Sequence, residues 1–291
     1  MNNAWQFWID RGGTFTDIVA RNPAGQLVTH KLLSENPEQY ADAAIQGIRD
    51  VLGLHAEQVI PSEQIAVVRM GTTVATNALL EHKGEPVLFV TTQGFKDALR
   101  IGYQQRPNLF ALDIELPQML YADVLEVAER ISAQGDIIQD PDPSVIQADL
   151  QHAFQQGLRS VAIVLMHAYR YPQHEQLIAK IAHDIGFTQI STSHQASPLI
   201  KWVGRGDTTV VDAYLSPVLR RYVQQVTQAL PQIPLFFMQS NGGLTHADHF
   251  QGKDAILSGP AGGVVGMVKT AQAAGFNKLI GFDMGGTSTD V

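Results

Sequence analysis

Two copies of one eight-residue phrase stand near opposite ends of this chain, and their residue types suit the binding of phosphate. The copies read Asp-Arg-Gly-Gly-Thr-Phe-Thr-Asp at 10–17 and Asp-Met-Gly-Gly-Thr-Ser-Thr-Asp at 283–290. Paired glycines let backbone N–H groups approach phosphate oxygens without an intervening Cβ, and threonine hydroxyls add further donors. Acidic residues beside such turns could hold a hydrated Mg²⁺ ion. One copy alone is as often a tight hairpin turn, so it is the duplication that favours phosphate binding.

The two copies also share a position in their predicted local structure. Each follows an apolar run that is typical of a strand, Trp5–Ile9 in the first copy and Leu279–Phe282 in the second. Asp10 and Asp283 end these strands at mirrored positions, so they could converge on the water shell of a metal ion. Two such turns facing each other across a cleft would hold the phosphates of a nucleotide from both sides. That arrangement is characteristic of the actin/hexokinase/heat-shock ATPase superfamily.

The elements around the first copy can be predicted from the spacing of apolar residues. Residues 5–33 indicate a meander of three strands with a turn at Asn22–Gly25, and Tyr40–Leu54 has the period of a helix. Ile65–Met70 indicates a short buried strand. The next residues, Gly71-Thr72-Thr73, open a helix, and they are either its N-cap or an anion site at its N-terminus.

The middle of the chain alternates between strands and helices, which indicates a parallel α/β layer. The predicted elements here are the strand Val124–Ile131, the helix Ser144–Gln156, the strand Val161–Met166, the helix His174–Ile185, the strand Thr188–Ser193 and the long helix Thr208–Leu230. A last helix, Ser258–Ala274, contains Gly262, Gly263 and Gly266 near one face. Each interior glycine costs about 0.8–1 kcal/mol relative to alanine. We therefore expect another backbone to approach this helix closely, as in a hinge.

The composition is that of a globular protein without an affinity for polyanions. The net charge is −8 and the pI is near 5.6, which argues against a nucleic-acid or anionic-membrane surface. The absence of cysteine excludes a disulfide frame, a thiolate nucleophile and a cysteine-based metal site. Apolar runs stay short of the roughly 18 residues of a spanning helix, and the first residues lack a signal-peptide pattern. We therefore expect a cytoplasmic protein that does not act on a membrane.

The position of the second phrase affects the fold prediction. It stands one residue before Val291, whereas the first phrase leads directly into a return strand at Asp17–Asn22. A hairpin that lacks its return strand cannot pair its edge or bury its apolar face. We therefore expect the chain to be a fragment. The predicted fold is an actin/hexokinase-like (ribonuclease H-like) α/β ATPase first lobe with an additional α/β layer, truncated at the start of the second lobe.

Four longer motifs extend these observations along the chain. They are Phe-Trp-Ile-Asp-Arg-Gly-Gly-Thr-Phe-Thr-Asp at 7–17, Arg-Met-Gly-Thr-Thr-Val-Ala-Thr-Asn-Ala-Leu-Leu-Glu at 69–81, Leu-Ser-Gly-Pro-Ala-Gly-Gly-Val-Val-Gly at 257–266 and Gly-Phe-Asp-Met-Gly-Gly-Thr-Ser-Thr-Asp at 281–290. Together they resemble the hydantoinase A/oxoprolinase family. Within that family, the segment 31–42 is similar to the single-chain ATP-dependent 5-oxoprolinases. The resemblance divides the chain into the family's N-terminal region, 5–200, and the beginning of its core, 201–291.

The resemblance implies an activity, cofactors and site residues. The activity is the ATP-driven opening of a small lactam, 5-oxo-L-proline, to L-glutamate with release of ADP and phosphate, and the cofactors are ATP and Mg²⁺. Asp10, Arg11 and Asp283 would be catalytic, with both aspartates holding the metal through water. The phosphate contacts of the family pattern fall on Gly12, Gly13, Thr14, Thr16, Gly285, Gly286, Thr287 and Thr289. Arg11 is specific to the first copy, where it could stabilise the transferred phosphoryl group or pair with substrate; a surface salt bridge is the simpler alternative.

Alternatives remain open at this point. An ATP-dependent N-methylhydantoinase or an acetone carboxylase-type subunit would share the phosphate phrases, and a non-catalytic actin-like ATPase could use the same cleft as a switch. Sugar kinases of the superfamily have a catalytic aspartate near the position of Asn241, so no general base is assigned there. We expect a homo-oligomer in the full-length form.

Overall fold

The computed structural model describes residues 4–55, 58–104, 108, 110–114, 116, 118–284 and 289–291, and it confirms the predicted α/β class. In chain order the strands are β1 (Trp5–Arg11), β2 (Phe15–Arg21), β3 (Leu27–Leu33), β4 (Ile65–Thr72), β5 (Val87–Thr92), β6 (Tyr121–Val127), β7 (Arg130–Ile131), β8 (Ile137–Gln139), β9 (Ser160–Val164), β10 (Gln189–Thr192), β11 (Leu235–Met238), β12 (Leu244–His246), β13 (Asp283–Met284) and β14 (Thr289–Asp290).

The helices range from single turns to one of 28 residues. In chain order they are α1 (Ala43–Leu52), α2 (Val74–Leu80), α3 (Ala98–Ile101), α4 (Pro143–Gln155), α5 (Gln173–Ile185), α6 (Ser193–Ala196), α7 (Trp202–Ala229), α8 (Gly252–Ala255) and α9 (Ser258–Ala273). Within the described ranges, none of these helices combines the length and the apolar character that crossing a bilayer requires.

The chain divides into two compact units that do not follow its linear order. One unit comprises Met1–Glu81 and Leu219–Val291, and the other is the intervening segment His82–Val218. The division arises because the chain leaves the first sheet after β4 and α2 and returns to it only with β11. These compact units do not coincide with the predicted sequence regions 5–200 and 201–291. The division into those two regions stays a prediction.

The discontinuous unit is built on a six-stranded sheet with the order β12-β11-β4-β1-β2-β3. The strands β1, β4 and β11 are parallel, and β2, β3 and β12 are antiparallel to their neighbours. Parallel central strands beside an antiparallel β1–β3 meander are the arrangement expected of a ribonuclease H-like first lobe. The helix α1 packs against the meander, while α9 lies against β4 and β11.

Alternation along β1 sends neighbouring side chains to opposite faces of this sheet. Phe7 and Ile9 are buried, and Arg11 shares their face. Trp8 and Asp10 project from the other face. The sequence of this one strand thus determines which residues can meet at its carboxyl end.

The inserted unit is built on a four-stranded sheet with the order β10-β9-β5-β6, and every pairing in it is parallel. All residues of β5 and β9 are buried, as expected for central parallel strands covered on both faces. The helix α4 begins at the N-cap Asp142, whose carboxylate accepts from the Ser144 N–H at 2.8 Å, and Pro143 occupies the first turn. The helices α4 and α5 pack together and complete a core that includes Leu150 and Ile178.

A buried carboxylate connects three elements of the inserted unit. The Glu175 side chain is fully buried and accepts from the Leu165 N–H at 2.9 Å and the Ser193 hydroxyl at 2.6 Å. It also contacts the backbone and ring nitrogens of His194 at 3.1 and 2.6 Å. Arg205, which is 1% exposed, donates to Ser193 and to the Leu165 carbonyl. Arg205 is therefore a structural residue rather than a contact for substrate.

We expect Glu175→Ala to lower the free energy of unfolding by about 3–5 kcal/mol, because it leaves several buried donors without an acceptor. Chemical denaturation followed by circular dichroism measures this change. The neighbouring exposed residue provides the control, and Gln176→Ala should alter stability by less than about 0.5 kcal/mol. Equal effects of the two substitutions would contradict a structural role for this carboxylate.

Two predictions about local structure were wrong. Leu279–Phe282 is not a strand, because this run has no sheet partner within the described ranges; pairing begins only at β13, and Ile280 is 88% exposed. The predicted strand Val124–Ile131 is interrupted after Val127, where Glu129 turns inward to bind His174 at 2.7 Å. Apart from its own helix, no described atom lies within 4 Å of a Cβ built on Gly266, so the close approach of another backbone to α9 stays a prediction.

Candidate functional site

The turn between β1 and β2 carries the first phosphate phrase, and its backbone is held by a hydrogen bond across the turn. The Gly12 N–H donates to the Phe15 carbonyl at 3.1 Å, and a Cβ on Gly12 would lie 2.9 Å from that oxygen. Only a residue without a side chain fits this close approach. Gly13 and Thr14 stand exposed at the tip of the turn. Their N–H and hydroxyl groups are therefore available to an anion.

A second layer of hydrogen bonds supports the turn from below. The Ser34 hydroxyl donates to the Gly12 carbonyl at 2.7 Å, and the Ser34 N–H donates to the Thr14 carbonyl at 2.9 Å. The hydroxyl of Thr16 lies 3.0 Å from that of Ser34 and is fully buried. Since Ser34 uses its proton on Gly12, Thr16 donates to Ser34. The direct phosphate contact expected for Thr16 is thus corrected to a supporting role, because its hydroxyl is enclosed beneath the turn.

We expect Ser34→Ala to loosen this turn. The substitution leaves the Gly12 carbonyl and the Thr16 hydroxyl without their partner, which should cost about 1–3 kcal/mol of stability. It should also raise the KM for ATP several-fold if the turn binds phosphate. Thermal unfolding and steady-state kinetics on the whole protein measure the two effects. A loss of stability with an unchanged KM would restrict Ser34 to a structural role.

Asp10 stands at the carboxyl end of β1, where the backbone of β4 leaves room for its carboxylate. A Cβ on Gly71, its register partner on β4, would lie 3.2 Å from Asp10 Oδ1. The pKa of Asp10 is raised above its ordinary value, first because neighbouring atoms partly bury the carboxyl group. Repulsion from Asp17 and then Asp283 raises this pKa further, whereas Lys31 opposes the rise.

Asp283 brings the second phrase to the same place. It opens β13, which pairs with β14, and its Oδ2 lies 3.9 Å from a Cβ built on Gly263 of α9. Gly263 lines the same groove as Asp10 and Gly71, so the structure brings together the mirrored aspartates of the two phrases. The effect of Asp283 on the pKa of Asp10 agrees with this geometry. Thr289 lies exposed in β14, opposite Met284. Gly285, Gly286 and Thr287 lie outside the described residues.

The charges of this site fit a hydrated divalent cation. Asp17 and Asp283 each repel Asp10, and the Lys31 ammonium that binds Asp17 at 2.8 Å relieves the repulsion only in part. Burial is the main cause of the raised pKa of Asp10, and the two neighbouring carboxylates add to it a repulsion that a bound cation would offset. No group of three or more histidine, cysteine, aspartate or glutamate side chains suited to direct metal ligation occurs in the described part of the chain. Mg²⁺, which keeps several waters, suits two carboxylates together with phosphate oxygens.

Arg11 does not share this cluster. Its guanidinium group lies on the opposite face of the sheet, over the Tyr222 ring at 5.2 Å, with Nε 3.8 Å from an Asp42 oxygen. Asp42 is also the N-cap of α1, where it accepts from the Ile45 N–H at 3.0 Å. We therefore correct its expected role: Arg11 is a largely buried contact between β1 and α1, because strand alternation turns it away from Asp10.

The other candidate motifs stabilise neighbouring segments. The Thr73 hydroxyl donates to the Arg11 carbonyl at 3.2 Å, and the Thr72 carbonyl accepts from the Ser258 hydroxyl at 2.9 Å. The first bond connects the N-cap of α2 to the end of β1, and the second connects the start of α9 to the end of β4. The Asn241 side chain accepts from the Gly243 N–H at 2.7 Å, which makes a local turn after β11.

Sequence reasoning missed two residues beside the site. The sequence signal for Ser34 was weak: the residue lies in the segment 31–42, which resembles the family. Only the folded meander places it under the first turn. Arg69 gave a stronger signal, since it is a charged residue within the apolar run Ile65–Met70. Its side chain lines a groove on the same face of the sheet as Asp10.

A ribonuclease H-like sheet whose β1–β2 turn carries the first glycine-threonine phrase defines the class of this protein, and comparison with known sequences places it in a family. The chain belongs to the hydantoinase/oxoprolinase family. The pattern of the hydantoinase/oxoprolinase N-terminal region matches residues 6–186, and the hydantoinase/oxoprolinase pattern matches residues 205–291. The predicted resemblance is thereby confirmed.

Several curated relatives are similar along nearly the whole chain. A 5-oxoprolinase of Dictyostelium discoideum is 42% identical over 98% of this chain, and 5-oxoprolinase 1 of Arabidopsis thaliana is 43% identical over 98%. The caprolactamase subunit alpha of Pseudomonas jessenii is 32% identical over 99%. The chain spans 26% and 25% of the two oxoprolinases and 43% of the caprolactamase subunit.

Solved structures support the fold. The ATP-dependent caprolactamase from Pseudomonas jessenii is 31% identical, with a TM-score of 0.80 over 98% of this chain and 43% of that one. A nucleotide-free acetone carboxylase gives a TM-score of 0.82 over the same shares at 21% identity, a likeness that concerns the fold alone.

Proposed function

We propose that the whole protein is an ATP-dependent cyclic amide hydrolase that opens 5-oxo-L-proline to L-glutamate, with release of ADP and phosphate. The observation that carries this proposal is the position of Asp10 and Asp283, one from each copy of the phosphate phrase, beside Gly71 and Gly263 of a single groove. Relatives named 5-oxoprolinase, at 42% and 43% identity, support the choice of substrate. The name of the caprolactamase relative supports the broader class of lactams.

Hydrolysis of a lactam needs activation because resonance makes its carbonyl carbon a poor electrophile. Transfer of the γ-phosphoryl group to the carbonyl oxygen forms an imidate phosphate and releases ADP. One water then adds to the activated carbon, and the C–N bond breaks as the nitrogen takes a proton. The resulting acyl phosphate is hydrolysed by a second water to the carboxylate and phosphate. Phosphoryl transfer of this kind depends mainly on positioning and charge neutralisation.

The residues of the site have distinct roles in this scheme. The backbone at Gly12 and Gly13 and the hydroxyl of Thr14 bind phosphate oxygens from one side. Gly285, Gly286, Thr287 and Thr289 are proposed to do so from the other. Asp10 and Asp283 would hold hydrated Mg²⁺, whose charge, when it is bound, offsets that of the phosphates.

A cytoplasmic location and a homo-oligomeric whole protein are further proposals. The acidic net charge of −8 supports the absence of nucleic-acid and anionic-membrane partners. Size-exclusion chromatography with light scattering on the whole protein tests the oligomeric state.

The decisive experiment is substrate-coupled ATP hydrolysis by the whole protein. We expect 5-oxo-L-proline to stimulate phosphate release and to yield one glutamate for each ATP. N-methylhydantoin, ε-caprolactam and a blank without lactam are the comparisons. If N-methylhydantoin or ε-caprolactam stimulated phosphate release more strongly, that compound would be the better candidate for the substrate. ATP turnover that no lactam changes would favour a non-catalytic ATPase switch.

A further inference from the structure

A groove lies between α9 and the sheet face that carries Asp10. Its volume is about 510 Å³, which is within the usual range for small-ligand sites. The residues that line it include Trp8, Asp10, Val19, Arg69, Met238 and Val265. Most of this lining is apolar, while charged groups stand at separate positions within it. The groove therefore suits a small molecule with an apolar body and polar ends.

Arg69 is a charged residue of this groove whose side chain has no hydrogen-bond partner among the described residues. Its guanidinium group lies over the Trp8 ring at 5.2 Å, and its Nη1 atom is buried without a hydrogen-bond partner. Within the described ranges, its side chain makes neither a hydrogen bond nor an ion pair. Arg69 is half-buried, and a guanidinium nitrogen is rarely enclosed without an acceptor, because removal from water weakens the hydration of the charge. Five unused donors in a planar fork match a carboxylate, which such a fork binds through two hydrogen bonds.

The acidic end of the groove, at Asp10, lies close to Arg69. Trp8 and Asp10 are register partners of Arg69 and Gly71, so all four residues belong to one face of the sheet. Two residues along a strand correspond to about 7 Å. A ligand that binds Arg69 at one end therefore places its other end beside Asp10 and the phosphate turn. This spacing suits a five-membered ring in which a carboxylate-bearing carbon and the reacting carbonyl carbon flank the ring nitrogen.

We propose that Arg69 binds the carboxylate of the lactam substrate and directs the lactam carbonyl toward the phosphate turn. The ring would pack on Trp8 and Met238. This inference rests on the proposed function and adds its specificity determinant: a cyclic amide that carries a carboxylate is preferred to a neutral one. A neutral lactam leaves the half-buried guanidinium group, with its enclosed Nη1 atom, unpaired, and sites built for a polar group discriminate strongly against ligands that lack it.

Kinetics of the whole protein with two substrates test this role. The substrates are 5-oxo-L-proline and 2-pyrrolidinone, the same ring without the carboxylate. We expect Arg69→Met to raise the KM for 5-oxo-L-proline about 10²-fold, the usual effect of losing a charged hydrogen bond. The same variant should leave turnover of 2-pyrrolidinone unchanged. Arg69→Lys should give an intermediate KM, because an ammonium keeps the charge but loses the fork.

Arg21→Met is the matched control. Arg21 also lies over the Trp8 ring, at 6.0 Å, but it is exposed and does not line the groove. Its loss should leave both KM values unchanged. The free energy of unfolding provides a second readout, since Arg69→Met removes an unpaired cation and should not destabilise the protein. Equal losses of activity on both substrates, or an increased KM in Arg21→Met, would overturn the proposal.

Ligand titration without ATP separates this inference from the proposed function. Trp8 should report binding, so 5-oxo-L-proline should change tryptophan fluorescence in the wild type but not in Arg69→Met or Trp8→Phe. Arg69-dependent binding without hydrolysis would support the carboxylate site and contradict the proposed reaction. Hydrolysis of 5-oxo-L-proline with the same KM in the wild type and in Arg69→Met would support the proposed reaction and contradict the carboxylate site. Arg69-dependent binding of inorganic phosphate in place of 5-oxo-L-proline would overturn the carboxylate assignment.

Discussion

Asp10→Asn should lower ATP-dependent lactam hydrolysis by the whole protein about 10²- to 10³-fold, the usual effect of losing a group that holds a metal or stabilises developing charge. Asp10 ends β1 at the phosphate turn and lies near Asp283 from the second phrase. Asparagine keeps the shape of the side chain but removes its charge. The loss should appear in kcat, and added Mg²⁺ should restore it only in part.

The same substitution should stabilise the fold at neutral pH. Because the pKa of Asp10 is raised by burial, Asp17 and Asp283, the folded protein holds this proton at a higher pH than the unfolded chain does. The stability contribution of Asp10 therefore becomes less favourable as pH rises from its ordinary pKa through its folded pKa. Asp10→Asn removes that penalty. Its advantage over the wild type should be present at pH 7 and should disappear below the ordinary pKa of aspartate.

Urea denaturation across this pH range, without added metal, measures the stability difference. Asp17→Asn is the matched control, because Asp17 belongs to the same acidic group but is bound to Lys31 and exposed. It should reduce turnover far less than Asp10→Asn. If Asp10→Asn destabilised the protein and left kcat intact, the carboxylate would be structural and the metal site would have to lie elsewhere.

Gly12→Ala should lower kcat/KM for ATP about 10²-fold, since small displacements of positioning groups have effects of this size. A Cβ at this position would lie 2.9 Å from the Phe15 carbonyl, so the turn must open. Opening moves the N–H groups and the hydroxyl at the tip away from the phosphate. It also weakens the bond from the Ser34 hydroxyl to the Gly12 carbonyl.

The control for this prediction is a glycine with ordinary space around it. A Cβ on Gly204 in α7 would lie 3.7 Å from the Tyr103 hydroxyl oxygen, so Gly204→Ala should be neutral or slightly stabilising. Isothermal titration with Mg-ADP should show weaker binding for Gly12→Ala alone. Unaltered nucleotide affinity in that variant would argue against phosphate binding by the first turn.

Much of the fold was predictable because its signals are local. The meander of residues 5–33, the buried strand at Ile65–Met70 and the alternating middle segment all follow from apolar periodicity and turn residues. Leu279–Phe282 has equally strong strand propensity, yet it is not a strand. Hydrogen bonding to a neighbour decides whether an apolar run becomes a strand, and periodicity does not reveal the neighbour.

The sequence alone determined which chemical groups are present, namely two glycine-threonine phrases that each begin with an aspartate. It also showed a family resemblance along the chain. Only the tertiary structure decided which of these groups share a site. It brought Asp10 near Asp283, buried Thr16 under the turn and placed Arg11 on the opposite face of the sheet. It also showed Arg69 in a groove without a partner. The reason is physical, because a residue type states what a side chain can bind, whereas strand register and alternation determine where it points.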